Sequence, residues 1–187
     1  MKKIISIFFM LLIANHANAE GFFDKTFFGV AFISQSAELE TTTTGTTTSI
    51  SETGSGIGLY LDKYLSRKYR FNSTLSYVTY DAFDVGQLMI SADYLIPLNA
   101  RVSFFGGVAA GGAIQTFSDA SFSDGAVGAV YGAQLGGILF LNNSLMLELG
   151  YRFRPTSGID TVVLNPADTI TSVTDLSEAY FSVLFMF

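Results

Sequence analysis

The stretch Ser144-Leu145-Met146-Leu147-Glu148-Leu149-Gly150-Tyr151-Arg152-Phe153-Arg154 decides the fold. Successive side chains of an extended chain point to opposite faces. Leu145, Leu147, Leu149, Tyr151 and Phe153 therefore share one face, while Met146, Glu148, Gly150, Arg152 and Arg154 share the other. A strand of this kind suits a barrel in lipid, which turns its apolar face outward and encloses its polar face.

The same period-2 pattern recurs along the chain in segments of about ten residues separated by turn-rich pieces, the mark of a membrane barrel. It predicts eight strands, at 26–38, 54–64, 68–80, 86–96, 101–116, 126–141, 144–154 and 176–187. A ten-residue strand rising about 3.4 Å per residue and tilted about 40° spans roughly 26 Å, the height of the apolar band of such barrels. The connections alternate between short (65–67, 97–100, 142–143) and longer (41–53, 118–125, 156–175), with 81–85 a short exception on the long side. Short periplasmic turns and longer external loops are the expected asymmetry. The predicted fold is all-β: an eight-stranded antiparallel up-and-down transmembrane β-barrel.

Composition agrees. The chain is 49% hydrophobic with a mean hydropathy of +0.41, too apolar for an ordinary soluble protein of 187 residues. Residues 1–19 read as a secretory signal: Lys2 and Lys3 are followed by the apolar run 4–13 and by Ala17-Asn18-Ala19 as the cleavage site. The apolar run is too short to cross a bilayer, which takes about 20 residues. The mature barrel is then 20–187, with eight basic residues against sixteen acidic ones, a formal charge of −8. That balance argues against nucleic acid as a partner. There is no cysteine, hence no disulfide framework and no lipid-attachment site.

One segment has a structural rival. Residues 125–141 are almost entirely apolar, and Gly128, Gly132 and Gly136 have the spacing of a helix-packing glycine motif. As a strand, the segment instead puts those glycines on one side with Gln134, opposite Val127, Tyr131, Leu135 and Leu139.

The chain ends Tyr180-Phe181-Ser182-Val183-Leu184-Phe185-Met186-Phe187, with Phe181, Val183, Phe185 and Phe187 on one face. This ending resembles the C-terminal insertion signal of bacterial outer-membrane proteins. With the leader, the eight strands and Gly150-Tyr151-Arg152-Phe153 in the penultimate strand, the mature chain resembles the small OmpA/OmpX/opacity-type outer-membrane barrels. The resemblance implies a Gram-negative outer-membrane location, insertion by the barrel-assembly machinery, contact with outer-membrane lipid and lipopolysaccharide, and a monomer. It implies architecture far more than function.

Alternation places Asp62, Arg70, Asp93, Arg101, Glu148, Arg152, Arg154 and Glu178 in the lumen, four acids and four bases. Charges in a narrow barrel lose much of their hydration and need partners. These eight are expected to form an ion-pair network that plugs the lumen, with Arg152 or Arg154 as the partner of Glu148. The rival is a narrow hydrated pore for ions or small solutes. Gly58, Gly107, Gly111, Gly132 and Gly136 would make room for neighbouring side chains. Phe and Tyr must supply the interfacial girdles in the absence of tryptophan; Tyr69, Tyr77, Tyr94, Tyr151 and Phe153 are candidates, while Tyr60 and Tyr64 share the lumen parity of Asp62.

Ten carboxylates fall in or beside the predicted outer loops, namely Glu38, Glu40, Glu52, Asp81, Asp84, Asp119, Asp124, Asp160, Asp168 and Asp175, and those loops hold no lysine or arginine. Divalent cations bridging this rim to lipopolysaccharide phosphates are one reading; a solvated surface is the plainer one, since no loop shows spaced cage ligands. The threonine tract around Gly45 reads as a mobile, variable surface loop, with a receptor-facing tip or a glycan acceptor as the alternatives. Residues 161–164 and 169–173 alternate around Asn165-Pro166-Ala167-Asp168, which suggests a hairpin above the membrane with an edge open to a partner strand.

Enzymes among outer-membrane barrels rely on a histidine for acid–base chemistry. Here the one histidine, His16, lies in the leader, and there is no thiol or zinc-ligand cluster. Neither catalysis nor a cofactor is expected. The remaining readings are a structural or surface-interaction protein acting through acidic, Thr-rich outer loops, and a narrow pore.

Overall fold

Alternating β-branched and aromatic residues make strands wherever one face finds lipid and the other a packed interior. The computed structural model describes residues 26–43, 45–117, 125–157, 159–165 and 167–186. Its strands are β1 (Thr26–Thr43), β2 (Thr46–Tyr64), β3 (Tyr69–Thr79), β4 (Phe83–Pro97), β5 (Val102–Phe117), β6 (Gly125–Phe140), β7 (Leu145–Ser157), β8 (Asp160–Asn165) and β9 (Ala167–Met186). All pairings are antiparallel, in the order β1 to β7, then β9. Pairing of β1 with β9 closes the eight-stranded up-and-down barrel, and β8 is a short ninth strand lying on β9. The leader lies outside the described residues.

The glycine-rich segment is strand β6, and no helix occurs among the described residues. Val127, Tyr131, Leu135 and Leu139 point outward with Leu149, Tyr151 and Phe153 of β7, while Gln134, Glu148, Arg152 and Arg154 are buried inside. Tyr69, Tyr77 and Tyr94 are exposed on the outer wall, where Tyr69 and Tyr94 meet edge to face at 5.5 Å across β3 and β4. In the C-terminal strand Phe181 and Phe185 are exposed and Val183 is half-buried; Phe187 lies outside the described residues.

The two ends of the barrel differ. At one end residues 65–68, 98–101 and 141–144 make tight turns. At the other, β1, β2 and β9 continue past the barrel and β8 joins them. Thr41↔Thr48, Thr42↔Thr47 and Thr43↔Thr46 are paired across β1 and β2, with Gly45 at φ +82° in the turn. The threonine tract is thus a paired hairpin and not the loop expected at 41–53: threonine is β-branched and prefers the extended chain, and glycine takes the left-handed position at no steric cost. Beyond residue 38, β1 pairs simultaneously with β9 (Leu39↔Val173 to Thr43↔Thr169), and β9 with β8 (Asp160↔Ser172 to Asn165↔Ala167). The result is a four-stranded sheet, β8-β9-β1-β2, standing above the barrel, which contains the hairpin expected from the alternation around 165–168.

Candidate functional site: the lumen and the sheet above it

Eight strands enclose an interior that side chains can fill, and here polar ones fill much of it. Asp62, Arg70, Asp93, Glu148, Arg152, Arg154 and Glu178 are all buried. They form two clusters of opposite composition.

In the first, one base sits among three acids. Arg70 donates from Nη1 to Asp62 Oδ2 at 2.7 Å and to Glu148, and from Nε and Nη2 to Asp93 Oδ2 at 3.0 and 2.7 Å. Asn72 donates to Asp62, Thr74 Oγ1 to Asn72 Oδ1 at 2.7 Å, and Tyr180 hydroxyl to Glu148 Oε1 at 2.6 Å. The ring of Phe105 lies 4.7 Å from the Arg70 guanidinium carbon, a cation–π distance.

In the second cluster, one acid sits between two bases. Glu178 accepts from Arg152 Nη1 at 2.8 Å, from Gln35 Nε2 at 2.8 Å and from Arg154 Nη2. Gln35 Oε1 in turn accepts from Tyr80 hydroxyl at 2.7 Å and Gln87 Nε2 at 3.0 Å. The Arg152 guanidinium carbon lies 4.1 Å from the Tyr180 ring and 5.0 Å from that of Tyr60. Gln134 joins the clusters: its Oε1 accepts from Arg152 Nε at 2.9 Å and its Nε2 donates to Asp93 Oδ1 at 2.6 Å. Among the described residues Arg154 Nε and Nη1 find no hydrogen-bond partner.

Two expectations need correction. Arg101 is exposed in the turn before β5 and does not join the lumen; alternation holds only inside a strand, and the chain has already bent at 98–101. The described lumen therefore holds four acids and three bases. The partner of Glu148 is Arg70 of β3, across the lumen, not Arg152 or Arg154, which lie farther along β7 and pair with Glu178 of the adjacent β9.

Sequence reasoning missed Gln35, Gln134, Asn72 and Tyr180. Their inward parity was readable, but nothing in one sequence says which neutral side chains will link the charges. Close approach explains two glycines. A Cβ on Gly136 would sit 2.6 Å from the Phe105 ring, and one on Gly150 would sit 2.5 Å from the Tyr180 ring.

Solved structures resemble the chain at low identity, 13 or 14% for the three named next. Neisserial surface protein A superposes with a TM-score of 0.59 at 14% identity, over 84% of this chain and 97% of that one. OprG from Pseudomonas aeruginosa gives 0.47 at 14%, over 87% and 97%, and Ail, the attachment invasion locus protein of Yersinia pestis, gives 0.42 at 13%, over 82% and 97%. No family model matches the chain, and no curated protein does. The fold is that of the small eight-stranded outer-membrane barrels. With its apolar outer wall, the chain is an outer-membrane protein, and the tight turns at one end with longer strands at the other match the periplasmic–external asymmetry expected of such barrels.

The four-stranded sheet stands at the end opposite the tight turns. Its acids are spread out. Glu38 and Glu40 are exposed on β1; Ser49 Oγ donates to Glu38 Oε1 at 2.8 Å, and Ser36 and Ser51 hydroxyls lie 2.9 Å apart. Glu52 Oε1 accepts from the backbone N–H of Asp81 and Ala82 at 2.7 and 3.2 Å and so caps the β3–β4 turn. A bulge lies between Glu38 and Leu39, opposite Thr174, whose hydroxyl donates to the Glu38 carbonyl at 3.3 Å; bulges re-aim a strand. Among the described residues no group of three or more metal-ligating side chains comes together. Asp119 and Asp124 lie outside the described residues, and the side chains of Asp160 and Asp168 are likewise not described.

Proposed function

We propose that the protein is a non-enzymatic outer-membrane barrel with a structural and surface-interaction role, carried by the acidic, Thr-rich sheet above its extracellular rim. The observation that supports this most is the continuation of β1, β2 and β9 past the barrel as a hydrogen-bonded sheet. Five residues of β1 beyond the bulge carry it on the order of 15 Å farther. One edge, β2 from 46 to 54, pairs with no strand but β1 among the described residues. Paired threonines give this sheet a fixed shape, and a fixed shape lowers the ordering cost of binding.

The plugged lumen speaks against transport as the main work, and the lack of a mature histidine speaks against catalysis. Lipopolysaccharide is the lipid partner this reading assigns. Because the described acids stand apart, a solvated acidic surface is favoured over cation bridges to its phosphates. Calcium titration by calorimetry should then give no binding heat, and a clear heat would restore the bridges.

The test of the main reading is a variant with residues 39–50 replaced by a short Asn-Gly turn. It should still run as a heat-modifiable barrel, yet expressing cells should lose self-aggregation and adherence to epithelial monolayers. Unchanged adherence and aggregation would overturn the reading.

A further inference from the structure

The three periplasmic turns are one structure built three times. Their sequences are Leu65-Ser66-Arg67-Lys68, Leu98-Asn99-Ala100-Arg101 and Leu141-Asn142-Asn143-Ser144. In each, the backbone N–H groups of the first and second residues donate to one carbonyl: Leu65 and Ser66 to Tyr69 at 3.0 and 3.3 Å, Leu98 and Asn99 to Val102 at 2.9 and 3.3 Å, Leu141 and Asn142 to Leu145 at 3.0 and 3.3 Å. The second residue's side chain accepts from the N–H of the fourth: Lys68 to Ser66 Oγ at 3.1 Å, Arg101 to Asn99 Oδ1 at 2.8 Å, Ser144 to Asn142 Oδ1 at 2.8 Å. The fourth residue's carbonyl then accepts from the adjoining strand, from Leu95 at 2.8 Å, Phe140 at 2.7 Å and Met186 at 2.8 Å. Ser and Asn side chains favour such local turns.

This geometry accounts for residues 2 and 4 of each turn, but it does not require leucine at residue 1. Leu65, Leu98 and Leu141 are 58%, 57% and 46% exposed. Around them Arg67, Lys68 and Arg101 are exposed, and the three turns contain no acid. At the opposite end of the barrel the described rim is acidic and has no lysine or arginine. Between the second and third turns runs an open groove of about 670 Å³ with Arg101 on one bank and Phe140, Leu141, Asn142 and Asn143 on the other.

We infer that this turn collar is a binding surface for anionic phospholipid of the inner leaflet, with the leucines entering the acyl boundary and Arg67, Lys68 and Arg101 holding headgroup phosphates. A leucine beside a base matches a molecule that is apolar at one end and anionic at the other, and a barrel turn sits where those two parts meet. Apolar insertion and phosphate attraction are the two forces that hold proteins at such an interface.

The test uses the full mature chain in detergent, with native mass spectrometry reading retention of added phosphatidylglycerol against phosphatidylcholine. Phosphatidylglycerol should be retained preferentially, and retention should fall roughly fivefold for each base removed in Arg67→Gln, Lys68→Gln and Arg101→Gln. A triple Leu→Ser variant (Leu65, Leu98 and Leu141) should weaken both lipids while sparing the preference. Inorganic phosphate should not compete. Equal retention of the two lipids, retention unaffected by the base substitutions, or competition by inorganic phosphate would each overturn the assignment. These residues lie outside the strands, so a heat-modifiable band from each variant confirms that the barrel is intact.

Discussion

The two clusters in the lumen are near inverses, one base among three acids and one acid between two bases. Around Arg70, all three guanidinium nitrogens reach carboxylates, and the ring of Phe105 covers one face. Around Glu178 the carboxylate accepts three hydrogen bonds, while two nitrogens of Arg154 find no partner among the described residues. Both use a planar group with several hydrogen-bonding positions as the hub. The difference lies in what is left over: excess negative charge in the first cluster, excess positive charge and open donors in the second. Removing a hub strands its satellites as unpaired buried charges, whereas removing a satellite leaves the hub its other partners.

That comparison orders the substitutions. Arg70→Met should be the most damaging, since Asp62, Asp93 and Glu148 would face one another without a counter-charge; a loss of about 3–5 kcal/mol is expected, read as a collapse of the heat-modifiable band or a large drop in detergent unfolding temperature. Arg70→Lys should rescue little of it, because an ammonium cannot serve three carboxylates from the positions of a guanidinium. Glu178→Gln comes next, leaving Arg152 and Arg154 as like charges with one neutral acceptor between them, at a cost of about 2–3 kcal/mol. Glu148→Gln should cost about 1 kcal/mol, because Arg70 keeps Asp62 and Asp93. Arg154→Met should be nearly neutral in urea unfolding, since Glu178 retains Arg152 and Gln35 and the open donors vanish with the side chain. If Glu148→Gln proved worse than Arg70→Met, the hub would be the wrong residue; if Arg154→Met proved worse than Glu178→Gln, the second cluster would be organised around its bases.

How much of this was legible in the sequence follows from what alternation can carry. Period 2 identifies a face, so Asp62, Arg70, Asp93, Glu148, Arg152, Arg154 and Glu178 could be assigned to the interior one strand at a time. It fails at a bend, and Arg101 sits in one. It also names no partners. Glu148 and Arg152 are four residues apart on β7, about 13 Å along a strand, so their shared face does not make them a pair; the partner of Glu148 comes from β3, across the lumen. The threonine tract shows the opposite error. Its repetitiveness suggested a loop, while the plain β preference of threonine, read with Gly45 at the centre, already described a hairpin.

Single-channel recording from the purified full chain in a planar bilayer tests the packed lumen most directly. The account predicts silence in the wild type at all applied voltages, with any leak confined to variants of Arg70 or Glu178. A steady ohmic conductance from the wild type would contradict it, because a lumen closed by these two clusters leaves no continuous path for a hydrated ion.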